Sequence, residues 1–157
     1  MPKIDASKLT ARVGSLYPPP HATPCAAREN TALGEAAGLT QFGVNLTRLK
    51  PGVWSSQRHW HTHEDEFVWV LQGEVVLVTD AGREALRAGD CAGFAAGDGD
   101  GHHFINESSA DALLLTVGAR HADDACHYPD IDLHANPGGP DNRGVFVHKN
   151  GTAFARI

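Results

Sequence analysis

Cysteine is sparse in this chain and carries no pairing pattern: Cys25, Cys91 and Cys126 are odd in number and include no Cys-x-x-Cys. That excludes a disulfide framework. Positive charge is also short. Thirteen Lys and Arg against nineteen Asp and Glu leave a formal charge of −6, the wrong sign for nucleic acid, which selects a basic face. No apolar run reaches membrane-spanning length, and the start Met-Pro-Lys-Ile-Asp-Ala-Ser has no apolar signal core, so a cytoplasmic protein without a membrane partner is expected. Internal repeats and low-complexity tracts are missing. The glycines are not followed by Lys-Ser/Thr, which removes a phosphate-cradling loop. The Asp-Gly-Asp-Gly run of residues 98–101 lacks the rest of a twelve-residue calcium loop.

Glycine and proline, by contrast, are plentiful: seventeen and nine in 157 residues, enough chain for one domain with its own core and a composition that favours many turns. Residues 1–38 show no sustained alternation. A short helix is expected near residues 7–13, capped by Asp5 or Ser7, and an alanine-rich stretch at 26–37 reads as helical but is weakened by Gly34 and Gly38. This segment is expected to be an arm lying over the rest. From residue 39 the period becomes two, with Phe42, Val44 and Leu46 alternating with Gly43, Asn45 and Thr47. Further strands are predicted at residues 53–61, 67–71, 75–79, 83–87, 91–96, 102–106 and 112–118, separated by Gly, Pro and Asn/Asp turns. Residues 67–71 are apolar on both faces, so Val68 and Val70 face inward, and Phe67, Trp69 and Leu71 require a cover. The arm or a second copy of the chain supplies it, which makes a homodimer the expected partner state. Residues 121–157 read as an extension in the same domain, with a loop at 136–140 and a hairpin turning at Asn150-Gly151. Short strands at this spacing give an all-β sandwich or barrel. The expected divisions are 1–38, 39–120 and 121–157.

The chemistry concentrates in residues 52–73, Gly-Val-Trp-Ser-Ser-Gln-Arg-His-Trp-His-Thr-His-Glu-Asp-Glu-Phe-Val-Trp-Val-Leu-Gln-Gly. Side chains two apart on a strand share a face at about 6.6–6.8 Å along the chain, so two imidazoles can converge on one ion. His59 and His63, about 13 Å apart if extended, cannot share it. The usable pair is His59/His61 or His61/His63, and Glu66, beyond a turn, can return to the same face. Cys91, in a strand without a basic neighbour, is expected to be a buried, inert thiol.

This run resembles the first motif of the cupins, Gly-x5-His-x-His-x3–4-Glu-x6-Gly. His59-x-His61-x4-Glu66-x6-Gly73 falls within that spacing, with Gly52 one residue too far upstream. The resemblance selects His59/His61. The second cupin motif, Gly-x5-Pro-x-Gly-x2-His-x3-Asn, is matched by Gly89, Gly97, His102 and Asn106, with Ala95 in place of proline and a gap before the histidine two residues longer. It implies a double-stranded β-helix, or jelly-roll, barrel and a metal set of His59, His61, Glu66 and His102.

Neutral imidazoles with one carboxylate suit Zn, Mn, Fe, Ni or Co alike, so one divalent transition metal of unspecified identity is expected, with a small-molecule ligand. The chain resembles small stand-alone cupins provisionally named sugar-phosphate isomerases, through Leu-Thr-Gln-Phe-Gly at 39–43 and the Tyr-Pro-Asp tail. That implies an isomerase of a sugar phosphate or similar small carbonyl compound, with Glu66 and His63 as candidate catalytic groups. The alternatives are an Fe(II)-dependent dioxygenase and a non-catalytic metal-dependent binder. A phosphate needs fixed arginines or lysines. Arg58 points away by parity, which leaves Arg48, Lys50 and Arg120 if the fold brings them to the mouth. His103 and Trp60, by the same parity, lie off the site. The interior is expected to be lined by Val, Phe and Leu, with few polar groups.

Overall fold

The computed structural model describes residues 3–138 and 144–154, so the last residues of the predicted 136–140 loop lie outside the described residues. Thirteen strands are present among the described residues: β1 (Arg12–Val13), β2 (Glu29–Ala32), β3 (Phe42–Leu49), β4 (Trp60–His61), β5 (Glu66–Gln72), β6 (Glu74–Thr79), β7 (Gly82–Arg87), β8 (Cys91–Phe94), β9 (His103–Ile105), β10 (Ala112–Ala119), β11 (Cys126–Tyr128), β12 (Leu133–Asn136) and β13 (Val145–Val147). They form three antiparallel sheets, ordered β1-β2-β3-β10-β5-β8, β13-β12-β11-β4 and β7-β6-β9. This is a nearly all-β double-stranded β-helix. Its core holds Leu49, Val68, Val70, Val75, Phe104 and Leu114, and a smaller cluster of Cys126, Tyr128, Leu133 and Ala135 takes in Tyr17 and Phe146.

Gly73 shows how the turns are fixed. It sits at φ +79° between β5 and β6, and a Cβ there would lie 2.7 Å from the Asp111 carbonyl oxygen. Only glycine meets both the left-handed backbone and the close approach. Asn106 fixes the next corner from inside: fully buried, it donates through Nδ2 to the Leu49 and Ala110 carbonyls at 2.7 and 2.8 Å.

The alternation of β3 runs opposite to the usual polarity. Val44 pairs with Val117, Leu46 with Leu115, and these with Phe67 and Trp69 across the sheet, so the apolar set shares the outer face. Asn45 and Thr47 turn inward, and Thr47 and Thr116 come within 3.5 Å of each other there. The interior is therefore mixed: Val68, Phe104 and Leu114 line it as expected, and Asn45, Thr47 and Thr116 add polar groups that were not expected. Asn30 offsets part of the cost of turning these groups inward, donating to the Asn45 side-chain oxygen at 3.0 Å and accepting from the Thr47 hydroxyl at 2.9 Å. Val68 and Val70 face in as predicted, while Phe67, Trp69 and Leu71 remain 40%, 45% and 42% exposed. The first 38 residues do not cover them. Instead β2 pairs with β3, and β1 with β2, at the far edge of that sheet. Cys91, on the same outer face opposite Trp69, is exposed rather than buried.

Local expectations near the start also change. One 3-10 turn, Ala6–Lys8, capped by the Asp5 carboxylate, replaces the helix of residues 7–13. Within 26–37, strand pairing of Glu29–Ala32 with β3 overrides alanine's helical preference, and only the single turn Leu33–Ala36 stays helical. The expected strand at 53–61 reduces to β4. Upstream, the chain meets β9 through a mixed set of bonds: Ser55 N–H donates to the Phe104 carbonyl at 2.8 Å, and the Ser55 hydroxyl accepts from Phe104 N–H at 2.9 Å. A side chain doing a carbonyl's work interrupts a regular ladder. The C-terminal hairpin forms as β13 with a bridge from Val147 to Ala153.

Candidate metal centre

Two backbone hydrogen bonds set the site. His59 N–H donates to the His102 carbonyl at 3.1 Å and His102 N–H to the His59 carbonyl at 2.8 Å, so the two segments lie side by side with both imidazoles inward. His61 follows two residues later, its ring 5.1 Å from that of His59. Glu66 opens β5 beside Gly118 of β10, where a Cβ would come within 3.6 Å of the Glu66 Cγ. His102 lies flat against Phe94, ring centroids 3.5 Å apart.

The four side chains named from the sequence converge. Glu66 Oε2 lies 2.8 Å from His102 Nε2, 3.4 Å from His59 Nε2 and 3.8 Å from His61 Nε2. An ion holding each ligand at about 2.1 Å sets neighbouring donors about 3.0 Å apart at right angles and about 3.4 Å apart at tetrahedral angles. The observed Glu66–His separations bracket both, and His59, Glu66 and His102 form a trio whose donor atoms all lie within 4.8 Å of one another, a set that His61 does not join. Tautomers point the same way. His59 Nδ1 lies 2.9 Å from the Gln57 carbonyl, which can only accept, and His61 Nδ1 lies 2.6 Å from Asp124 Oδ2. Each Nδ1 therefore carries the proton, leaving the Nε2 lone pair facing the Glu66 carboxylate. Lone pair against anion is repulsive unless a cation stands between them, so the donor set fits a divalent transition ion.

Charges follow this arrangement. Burial raises the Glu66 pKa, but the adjoining His102 and His59 rings and the charge that His59 and His61 carry when protonated outweigh it and hold the carboxyl well below its usual range. Burial pulls His59 down. Burial does the same to His61, yet the hydrogen bond to Asp124 and the charges of Glu66, Asp124 and Glu64 win and the pKa rises. Glu64 is pushed up by burial and by the neighbouring Asp124 and Glu66 charges.

Several groups at the site come from beyond residue 120. Antiparallel pairing of β11 with β4 sets Cys126 opposite His61, and Cys126 Sγ lies within 4.8 Å of ligand atoms of both His59 and His61. Burial raises that thiol's pKa, so it is protonated and a poor ligand unless a metal displaces the proton. Tyr128 stacks on His59 with centroids 5.9 Å apart. Asp124 also accepts from His63 N–H at 2.8 Å through Oδ1. The period-two spacing of Asp124, Cys126 and Tyr128 in the sequence was the available signal, but nothing local pairs them with His61.

Other singled-out residues fall as follows. His63 is exposed, bonds Thr62 and stacks on His121 at 4.9 Å. His103 is buried against the Ser56 carbonyl and Trp54, away from the cluster, and Trp60 stacks on His127. Arg58 is bound by Asp80 and Asp130. Arg48 and Lys50 pair with Glu29, whereas Arg120 reaches the cavity mouth, a space of about 320 Å³ also lined by Glu35, Glu64, Asp124 and His121.

The cupin-domain profile matches residues 45–118, a span that contains all four converging side chains. No curated protein matches the chain. Among solved structures, a sugar phosphate isomerase from a cupin superfamily of Silicibacter pomeroyi DSS-3 is 42% identical, with 98% of this chain and 97% of that one covered and a TM-score of 0.90. A protein of Acidithiobacillus ferrooxidans, provisionally named a sugar phosphate isomerase, is 26% identical over 96% of this chain and 90% of its own, with a TM-score of 0.77. The polyketide cyclase RemF of Streptomyces resistomycificus, 20% identical over 76% and 79% with a TM-score of 0.61, shares the fold. No helix among the described residues is long and apolar enough to cross a membrane. Two sequence motifs, the barrel that carries them and a near full-length relative agree: the chain belongs to the cupin superfamily.

Proposed function

We propose that the protein is a metal-dependent isomerase of a small phosphorylated sugar or a similar carbonyl compound, with one divalent transition ion held by His59, His61, Glu66 and His102. The observation that carries this reading is the convergence of three Nε2 atoms on one carboxylate oxygen beside a polar cavity. Likeness to the Silicibacter protein over nearly both whole chains supports the choice of reaction. A bound ion would supply Lewis-acid polarisation of a carbonyl oxygen.

Isomerisation also needs a group that takes a proton from one carbon and returns it to the next. Glu64 suits this, since it lines the cavity and its carboxyl is pushed up. Glu66, held ionised, serves as ligand rather than acid. His63 is exposed and its ring rests on His121, so we give it a supporting place beside the mouth and assign proton transfer to Glu64. We also propose that two copies associate through the outer row of Phe67, Trp69 and Leu71.

The test is elemental analysis of protein purified without chelator, followed by assay of aldose and ketose phosphates. Interconversion that requires the ion supports the proposal. Oxygen uptake with Fe(II) and no interconversion replaces it with a dioxygenase, and ligand-dependent thermal shifts without turnover replace it with a binder.

A further inference from the structure

Arg28 enters the barrel just ahead of β2, and its guanidinium is held in place without being neutralised. Nη1 donates to the Ser55 carbonyl at 2.6 Å and Nη2 to the Gly14 carbonyl at 3.1 Å. These oxygens are dipole ends and carry no full charge. Nε is buried and has no partner, and among the described residues no carboxylate forms an ion pair with Arg28. Arg28 is half-buried, and a cation partly withdrawn from water without an anion carries a cost. The fork lines a cavity of about 240 Å³ that it shares with Asn45 and Thr116 and that extends to His59, Glu66 and His102. Asn45 spends its carbonyl oxygen on Asn30 Nδ2 at 3.0 Å, and its own Nδ2 donates to no described residue. The wall thus presents spare donors around a fixed positive charge, the arrangement that selects an oxyanion.

We infer that Arg28, with Asn45 beside it, binds the anionic end of the ligand inside the barrel, under β2 and β3. This rests on the sugar-phosphate reading for the identity of that end as a phosphate ester. Arg120 is the rival at the mouth. It already pairs with Glu35 at 3.9 Å, and it shares its wall with Glu64 and Asp124, which do not line the Arg28 cavity. That surplus of carboxylates repels a phosphate. The ligand class is accordingly short: a phosphate ester at one end on Arg28, and a carbonyl with a neighbouring hydroxyl at the other end, towards the Nε2 atoms.

The experiment is calorimetric titration of inorganic phosphate into the metal-loaded protein and into R28K, N45D and R120Q, with bound metal measured in each. R28K keeps the charge and loses the fork. N45D leaves both Arg28 carbonyl bonds untouched, keeps the oxygen that Asn30 uses and sets a negative charge in the pocket. Phosphate binding is expected to weaken about 10-fold or more in R28K and about 10- to 100-fold in N45D, and to stay within about twofold of wild type in R120Q. Wild type that takes up no phosphate overturns the inference. So does R120Q losing it while R28K and N45D bind as wild type. Failure of the isomerase reading is separate: phosphate binding that depends on Arg28 and Asn45 without sugar-phosphate turnover removes the reaction and leaves the anchor, and turnover untouched by R28K and N45D removes the anchor and leaves the reaction.

Discussion

Replacing Asp124 with asparagine tests how the centre is held from behind. Asp124 Oδ2 accepts the His61 Nδ1 proton at 2.6 Å, while Oδ1 accepts from His63 N–H at 2.8 Å and from the Thr62 hydroxyl at 3.3 Å. In Asp124→Asn the backbone N–H of His63 keeps the amide oxygen on its side, so the NH2 group meets His61 Nδ1. That nitrogen must then accept, the ring proton moves to Nε2, and the lone pair needed for coordination is lost. Loss of a carboxylate behind a ligating imidazole costs about 10- to 100-fold in metal affinity, or about 1.4–2.7 kcal/mol, and the tautomer reversal puts this variant at the upper end. Asp124→Ala, which leaves Nδ1 free to keep its proton, is expected at the lower end. A pH signature accompanies the loss. Asp124 is among the groups that raise the His61 pKa, and a proton on Nε2 competes with the ion. Without that carboxylate the pKa falls, so the acid limb of metal binding moves to lower pH even as the plateau weakens. Competition with a chromogenic chelator across pH 5 to 8 reads both effects. Wild-type affinity in Asp124→Asn with an unmoved acid limb would refute the reasoning.

The remaining predictions are briefer. His61→Ala is expected to lose most bound metal and His103→Ala to keep nearly all of it, by elemental analysis; equal metal content would defeat the parity argument. Gly73→Ala faces both the φ of +79° and the 2.7 Å approach to the Asp111 carbonyl oxygen, so it should lower stability by about 1–3 kcal/mol in urea titration, and an unchanged midpoint would count against it. Arg58→Ala removes the fork to Asp130, at 2.6 and 2.7 Å, and the bond to Asp80; with the partner carboxylates largely exposed, the loss is about 1 kcal/mol. Asp130's folded pKa is depressed, first by the Arg58 hydrogen bond, so its contribution is full above the unfolded carboxylate pKa and fades as pH falls through the folded one. The wild-type and Arg58→Ala stability curves should therefore converge in acid, and parallel curves would contradict the assignment. Trp69→Glu is expected to shift the proposed dimer to monomer by light scattering, and a monomeric wild type would rule that association out.

The four converging side chains were legible because their placement is local. Two histidines at a spacing of two, a carboxylate after one turn and a second motif with His102 and Asn106 needed only strand geometry and the family resemblance. Asp124 and Cys126 were not legible, since they reach His61 through the β11–β4 pairing, a contact 65 residues apart in sequence with no local trace. The strand at 53–61 failed because a serine hydroxyl took over part of the ladder. The inside of the barrel was read only in part, for a related reason: Val68, Phe104 and Leu114 do line it, but the polar share was missed. Hydrophobic alternation tells which residues share a face but not which face is dry, and in β3 Val44 and Leu46 lie on the outer side while Asn45 and Thr47 line the cavity.

The placement of β2 bears on how this protein can be dissected. A fragment cut to begin at the first long strand would retain every proposed metal ligand. It would nonetheless lose Arg28, and with Asn30 the partner that engages both Asn45 and Thr47, leaving β3 with a bare edge and the inner chamber open on one flank. Metal uptake by such a fragment would therefore say little about what the intact molecule selects.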